Sequence, residues 1–218
     1  IYMTKKSNDI VFTTALRTAI GRYEGMWKKY QAHDLGKTVI KNILNKSKIE
    51  KNFIDEVIMG QVLTGGTGQN PARQAAIRAG IPKEKTAYVI NQVCGSGLRA
   101  IVAGYQSILL GDAKIVIAGG QESMTNSSEQ MMLKDGLIDA YNDYHMGITA
   151  ENVADKWKIS REEQDSFAAS SQLKAQEAIK NKKFVDEIIG ELSEDEHPRK
   201  DVTIEKLSKL DPAFKKNG

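Results

Sequence analysis

Cysteine is nearly absent from this 218-residue sequence, which has one, Cys94. A single thiol excludes an internal disulfide framework and leaves too few thiolates for a cysteine-built metal site, so a reducing compartment, the cytoplasm, is expected. Histidine is scarce as well, and His33, His145 and His197 do not fall at metal-site spacing. No run of five or six basic residues occurs. The net charge of +3 comes mostly from lysines spread along the whole chain, which reads as a solvated surface with a modest pull toward anionic small ligands and argues against a nucleic-acid partner. No apolar stretch approaches the roughly 20 residues that span a bilayer, so no membrane segment is expected. The charged start IYMTKKSND has no hydrophobic region behind it, and no signal peptide is read there.

What is present is ordinary globular composition, 40% hydrophobic and 27% charged. The first 120 residues alternate β-branched runs with longer amphipathic ones. Strands are expected at DIVFTTAL (9–16), DEVIMGQVL (55–63), TAYVIN (86–91) and AKIVIAGG (113–120). Between them HDLGKTVIKNILNKS places Leu35, Val39, Ile43 and Leu44 on one helical face, and NPARQAAIRAG is a helix with Pro71 in its first turn. A third helix follows Cys94. This alternation predicts an α/β fold, a mostly parallel sheet with right-handed crossovers and helices on its faces.

After Gly120 the sequence turns polar, Met-rich and irregular, then yields two helices. TAENVADKW opens on a Thr-x-x-Asn cap pattern, and SREEQDSFAASSQLKAQEAIKNKKF opens on a capping box from Ser160 to Glu163. Phe167, Ser171, Ala175 and Ile179 form the expected packing face of the second helix. Two domains are expected, an α/β domain over residues 1–120 and an irregular and helical one over residues 121–218.

Cys94 lies in NQVCGSGLRA, between a strand and a helix. A structural cysteine needs only apolar surroundings, whereas this one is followed by Gly95 and Gly97 at a corner. Unpaired N–H groups and the positive end of a helix dipole near the sulfur favour the thiolate, and the glycines permit a tight turn with close backbone approach. The arrangement resembles a nucleophile elbow, and helix-start N–H donors beside an acyl oxygen make a partial oxyanion hole. A base is then needed. His33 reads as a cap or surface residue and His197 as solvated, while His145, in YHMG, either lines a pocket or packs structurally. TGGTGQN lacks the Lys-Ser/Thr of a phosphate-binding loop and reads as a plain turn.

NQVCGSGLRA also resembles the active-site cysteine motif of the thiolases, specifically of acetyl-CoA C-acetyltransferases. ALRTAIGRYEG, GQVLTGGTGQNPARQAAIRAGIP, AGGQESMT and LKDGLIDAYNDYHMGITAENVA followed by SREEQDSFAASSQLKA match the family in order. The resemblance implies the first half of a layered αβαβα core plus a loop domain. It implies Claisen condensation of two acetyl-CoA to acetoacetyl-CoA and coenzyme A, or the reverse thiolysis, through an acetyl-cysteine thioester. The CoA thioesters are substrates, and neither a metal nor a redox cofactor is implied. By the same resemblance Cys94 is the acyl-carrying nucleophile, His145 and Met146 line the substrate channel, Leu137 contacts CoA, and Arg199 lies near the CoA nucleotide. A homodimer or homotetramer is implied for the full-length protein.

Two departures stand against that pattern. The family's Gly-His-Pro, Cys-Gly-Gly and Asn-Glu-Ala-Phe segments have no counterpart here, so the C-terminal domain is expected to be missing and this chain alone inactive. An insertion expected between GGQESM and LKDGL is also missing. Two other readings are kept open: a non-catalytic thiolase-like CoA-binding or assembly module, and a ketoacyl synthase-like condensing enzyme.

Overall fold

The computed structural model describes residues 9–218, and the charged start, residues 1–8, lies outside them. The chain divides into two compact units, one of residues up to Thr18 with Tyr30–Ser123, the other of Ala19–Lys29 with Met124–Gly218.

The first unit is built on three parallel strands, β1 (Glu56–Gly60), β2 (Thr86–Ile90) and β3 (Val116–Gly120), in the order β2-β1-β3. The pairing is in register, Glu56 standing beside both Thr86 and Val116. The helices are α1 (Ala32–Ser47), α2 (Pro71–Arg78) and α3 (Ser96–Leu110). The crossover from β1 to β2 runs one way along the sheet and that from β2 to β3 runs the other. Right-handed crossovers therefore put α2 and α3 on opposite faces, and α1 packs on α2. Side chains of β1 alternate accordingly: Val57 and Met59 join Ile40 of α1 and Ala72, Ala75 and Ala76 of α2 in the core, while Ile58 and Gly60 face α3. This central strand is buried on both sides, as its continuous apolar run predicts.

Four expectations are corrected. No strand forms over residues 9–16; Val11 and Phe12 are exposed there, and a strand exists only where a partner takes its hydrogen bonds. The buried face of α1 is Ala32, His33, Gly36 and Ile40, with Ile43 and Leu44 packed against the core, rather than Leu35 and Val39. Gly36 sets that rotation by letting α1 approach Gln121 and Ala75 closely. His33 consequently turns inward, at 6% exposure, and is not a surface cap. Finally, Val93–Leu110 is long and apolar enough to cross a membrane by length and composition. A search for uninterrupted apolar runs overlooks it because Arg99 and Gln106 divide it. Here its Ser96, Ala100 and Gly104 are buried, with Gly104 against Val116 and Ala118 of β3.

The second unit holds α4 (Glu129–Met131), a π-helical turn (Met132–Leu137), α5 (Met146–Trp157), α6 (Arg161–Lys180) and α7 (Ile204–Leu207). Ala19–Lys29 is tied to its tail by backbone donors: Ile20 N–H to Asp195 at 2.7 Å, and Arg22 and Met26 N–H to Glu196 at 3.0 and 3.1 Å. Ser160 caps α6 through the expected box, accepting from Glu163 N–H at 3.1 Å while the Glu163 carboxylate accepts from Ser160 N–H at 2.8 Å. The expected apolar face of α6 is displaced, because Phe167 is 78% exposed and Asp165 and Ala169 are buried instead. Arg161 explains the displacement: it pairs with Asp165 at 3.1 Å and donates to the carbonyls of Leu207 and Leu210, drawing that side toward α7. Thr149 does not cap α5, which begins one turn earlier at His145.

Candidate active site

Because α2 and α3 leave the sheet on opposite faces, the loops that follow β1 and β2 diverge. The carboxyl ends of these two strands are the place where open α/β sheets bind ligands. Residues 61–70 follow the first strand and residues 91–95 the second. The first of these loops is the turn expected from TGGTGQN, with Gly66 and Gly68 at positive φ and Asn70 capping α2 by accepting from Arg73 N–H at 3.1 Å. Cys94 stands in the second, free and exposed.

Three glycines bring the start of α3 onto the strand ends. A Cβ on Gly60 would come within 2.5 Å of Gly97 N and Ser96 O, and a Cβ on Gly120 within 3.3 Å of the Gly97 Cα. The cap position of α3 is Gly95, which offers no side chain to the first-turn donors. Two of the N–H groups at this corner are already spent, Gly95 donating to Gln92 O at 3.1 Å and Ser96 to Val93 O at 3.0 Å, so what the helix start offers beside the Cys94 thiol is the positive end of its dipole.

The corner itself is held by side chains that sequence reasoning did not single out. Val93 has φ of 48°, a left-handed conformation that a β-branched residue adopts only under constraint. Its N–H donates to Asn91 Oδ1 at 2.9 Å, and its carbonyl accepts from Ser96 N–H at 3.0 Å. Asn91 Nδ2 also donates to Val62 O at 3.4 Å, and the Glu122 carboxylate accepts from Val62 and Leu63 N–H at 2.8 and 3.3 Å. Beneath them Gln121 donates to Gln61 at 2.8 Å, both side chains buried. The spacing Asn-x-Val-Cys-x-Ser, read as a turn, was the available signal, because short polar side chains bond neighbouring backbone.

The other expected site residues belong to the second unit. Leu137 ends the π-helical turn, and an antiparallel bridge between Ile138 and His145 closes the loop after it, so Leu137, His145 and Met146 meet at the base of one loop. His145 Nδ1 accepts from Gly147 N–H at 2.9 Å, which leaves the ring proton on Nε2. The imidazole stacks on Phe214 with centroids 5.0 Å apart, another contact that local spacing does not reveal. Arg199 is exposed. Its N–H donates to Gln172 at 2.8 Å, its carbonyl accepts from Gln176, and it helps line a cavity of about 460 Å³ with Ser171, Ala175, His197 and Val202. Among the described residues no cluster of three or more His, Cys, Asp or Glu side chains could hold a metal ion.

Comparison with known proteins supplies the context for this geometry. Residues 10–131 and 126–218 match the family described as Thiolase, N-terminal domain. An acetyl-CoA acetyltransferase of Rhizobium meliloti is 48% identical over 236 residues, covering 96% of this chain and 60% of its own length. An acetyl-CoA acetyltransferase of Pseudomonas aeruginosa is 47% identical over 238 residues, covering 96% and 61%. A probable acetyl-CoA acyltransferase of Staphylococcus epidermidis is 48% identical over 237 residues, covering 96% and 60%. The chain thus spans about 60% of the length of the curated relatives it matches. The 236 aligned positions outnumber the 218 residues here, so the first relative carries residues this chain lacks. The two matched segments meet at residues 126–131, between GGQESM and LKDGL.

Proposed function

Given that the chain belongs to the thiolase family, we propose that it carries the acyl-accepting half of an acetyl-CoA C-acetyltransferase site. Cys94 is the nucleophile. Its thiolate attacks the carbonyl carbon of acetyl-CoA, the new C–S bond forms, and the CoA thiolate leaves, so the acetyl group rests on Cys94 as a thioester. A second acetyl-CoA, deprotonated at its methyl carbon, then displaces the cysteine sulfur and departs as acetoacetyl-CoA. One observation carries the assignment: the free, exposed thiol stands at the carboxyl edge of a parallel sheet, at the start of a helix whose cap residue has no side chain. The positive end of the α3 dipole there suits the developing oxyanion.

His145, Met146 and Leu137, gathered at one loop base, supply the wall of the substrate channel, and Arg199 faces the nucleotide end of CoA. The CoA thioesters serve as substrates, with neither metal nor redox cofactor in the reaction. A reducing compartment, the cytoplasm, keeps the thiol free. The full-length protein assembles as a homodimer or homotetramer, which sedimentation tests.

The site assignment is tested by incubating the chain with acetyl-CoA and following intact mass with peptide mapping. One acetyl group on Cys94, lost in Cys94→Ala, is the expected result of this half-reaction, while turnover of acetyl-CoA to acetoacetyl-CoA is not expected of the chain alone. Acetylation that persists in Cys94→Ala, or that falls only on surface lysines, overturns it.

A further inference from the structure

Ser96 is the first residue of α3 and is 4% exposed. Its hydroxyl is spent on the residues just before it: Oγ accepts from Gln92 N–H at 2.8 Å and donates to Val93 O at 2.5 Å. Only a small hydroxyl side chain can both donate and accept in that space, under the close approach of Gly60. Val93 is thereby held from both sides, through Asn91 at its N–H and through Ser96 at its carbonyl. The left-handed backbone at Val93 sets the direction of the following peptide, and so decides where Cys94 stands relative to the first turn of α3. Strain of this kind persists only where the surroundings over-determine it.

We infer that Ser96 is a positioning residue for Cys94, acting by clamping Val93 in its left-handed conformation. The inference rests on the reading of Cys94 as the nucleophile. It predicts a specific epistasis, because glycine adopts positive φ without steric cost: removing the side chain at position 93 should make the clamp dispensable.

The experiment compares the rate at which iodoacetamide alkylates Cys94, mapped on its peptide, in the wild-type chain, Ser96→Ala, Val93→Gly and the double variant. Thermal midpoints are measured alongside. Ser96→Ala is expected to slow alkylation about tenfold, the size of one or two lost hydrogen bonds. The double variant is expected within about threefold of Val93→Gly, since glycine needs no clamp. Wild-type reactivity in Ser96→Ala, or a double variant as slow as Ser96→Ala, overturns the inference. Should Ser96→Ala fail to fold, a folded and reactive double variant supports the clamp, and a double variant that also fails overturns it. A wild-type Cys94 that reacts no faster than a free peptide thiol counts against the nucleophile reading itself, a result distinct from the ratio between variants.

Discussion

Gly60→Ala tests whether α3 must touch the strand ends to present Cys94. The added Cβ would lie 2.5 Å from Ser96 O and Gly97 N, and both are backbone atoms that cannot rotate aside. Ordinary contact begins near 3.4 Å and the nearest atom, Ser96 C, would lie at 2.3 Å, so the first turn of α3 must retreat by about 1.1 Å. Overpacking of this kind costs about 1–3 kcal/mol, and each kcal/mol lowers the melting temperature by about 2–4 °C at this chain length. Misplacement of a reacting group by about 1 Å costs on the order of a hundredfold in rate. The prediction is therefore a measurable drop in thermal midpoint with a much larger loss of Cys94 alkylation. Gly119→Ala is the matched control one residue before the end of β3, where an added Cβ meets nothing within 4 Å. That change should leave alkylation intact and stabilise the strand by about 0.5–1 kcal/mol, the ordinary cost of a strand glycine. A Gly60→Ala variant that melts and reacts like the wild type would refute the close-approach argument, and so would a Gly119→Ala variant that is equally damaged.

Burial, then the Arg78 guanidinium, holds the His33 imidazole below its ordinary 6.5, with Asp34 pulling the other way. The unfolded chain therefore binds more protons in that window, so the stability contribution is complete above pH 6.5 and is lost as pH falls through the folded value. Denaturant midpoints measured downward from pH 6.5 should show a slope that His33→Asn reduces; an unchanged slope sinks the assignment. Ser160→Ala removes the acceptor for Glu163 N–H and should cost about 1 kcal/mol, read as faster amide exchange in the first turn of α6. Leu98, Val102, Tyr105 and Leu109 form an exposed apolar stripe along α3, so the chain should self-associate in sedimentation and Leu98→Glu with Leu109→Glu should return it to monomer. A wild-type chain that runs as a clean monomer removes the basis for that prediction.

The parts legible in the sequence are those whose signal is local. β1, β2 and β3 each combine β-branched residues with flanking turn residues, and α2 and α6 announce their starts through Asn70-Pro71 and through Ser160 with Glu163. Cys94 was conspicuous for the same reason, since Gly95 and Gly97 follow it directly. Illegible features depend on distant partners. Residues 9–16 have strand composition, yet pairing is settled by the neighbour and not by the segment. On α6 the Arg161–Asp165 pair is turned inward through carbonyls more than forty residues away, which no helical periodicity encodes. The role of Ser96 is illegible because serine at a helix start reads as an ordinary cap, whereas here the hydroxyl bonds backward to Gln92 and Val93.

The geometry of α3 also limits where the base for Cys94 can come from. Among the described residues the first unit contains one histidine, His33, and it is buried on α1, which packs with α2 on the face of the sheet opposite α3. Its imidazole, whose protonation burial and Arg78 disfavour, belongs to the core. Cys94 thus has no histidine partner in its own unit. The exposed stripe of α3 begins at Leu98, one helical turn beyond Cys94. A surface laid over this stripe would therefore also reach within about one turn of the thiol.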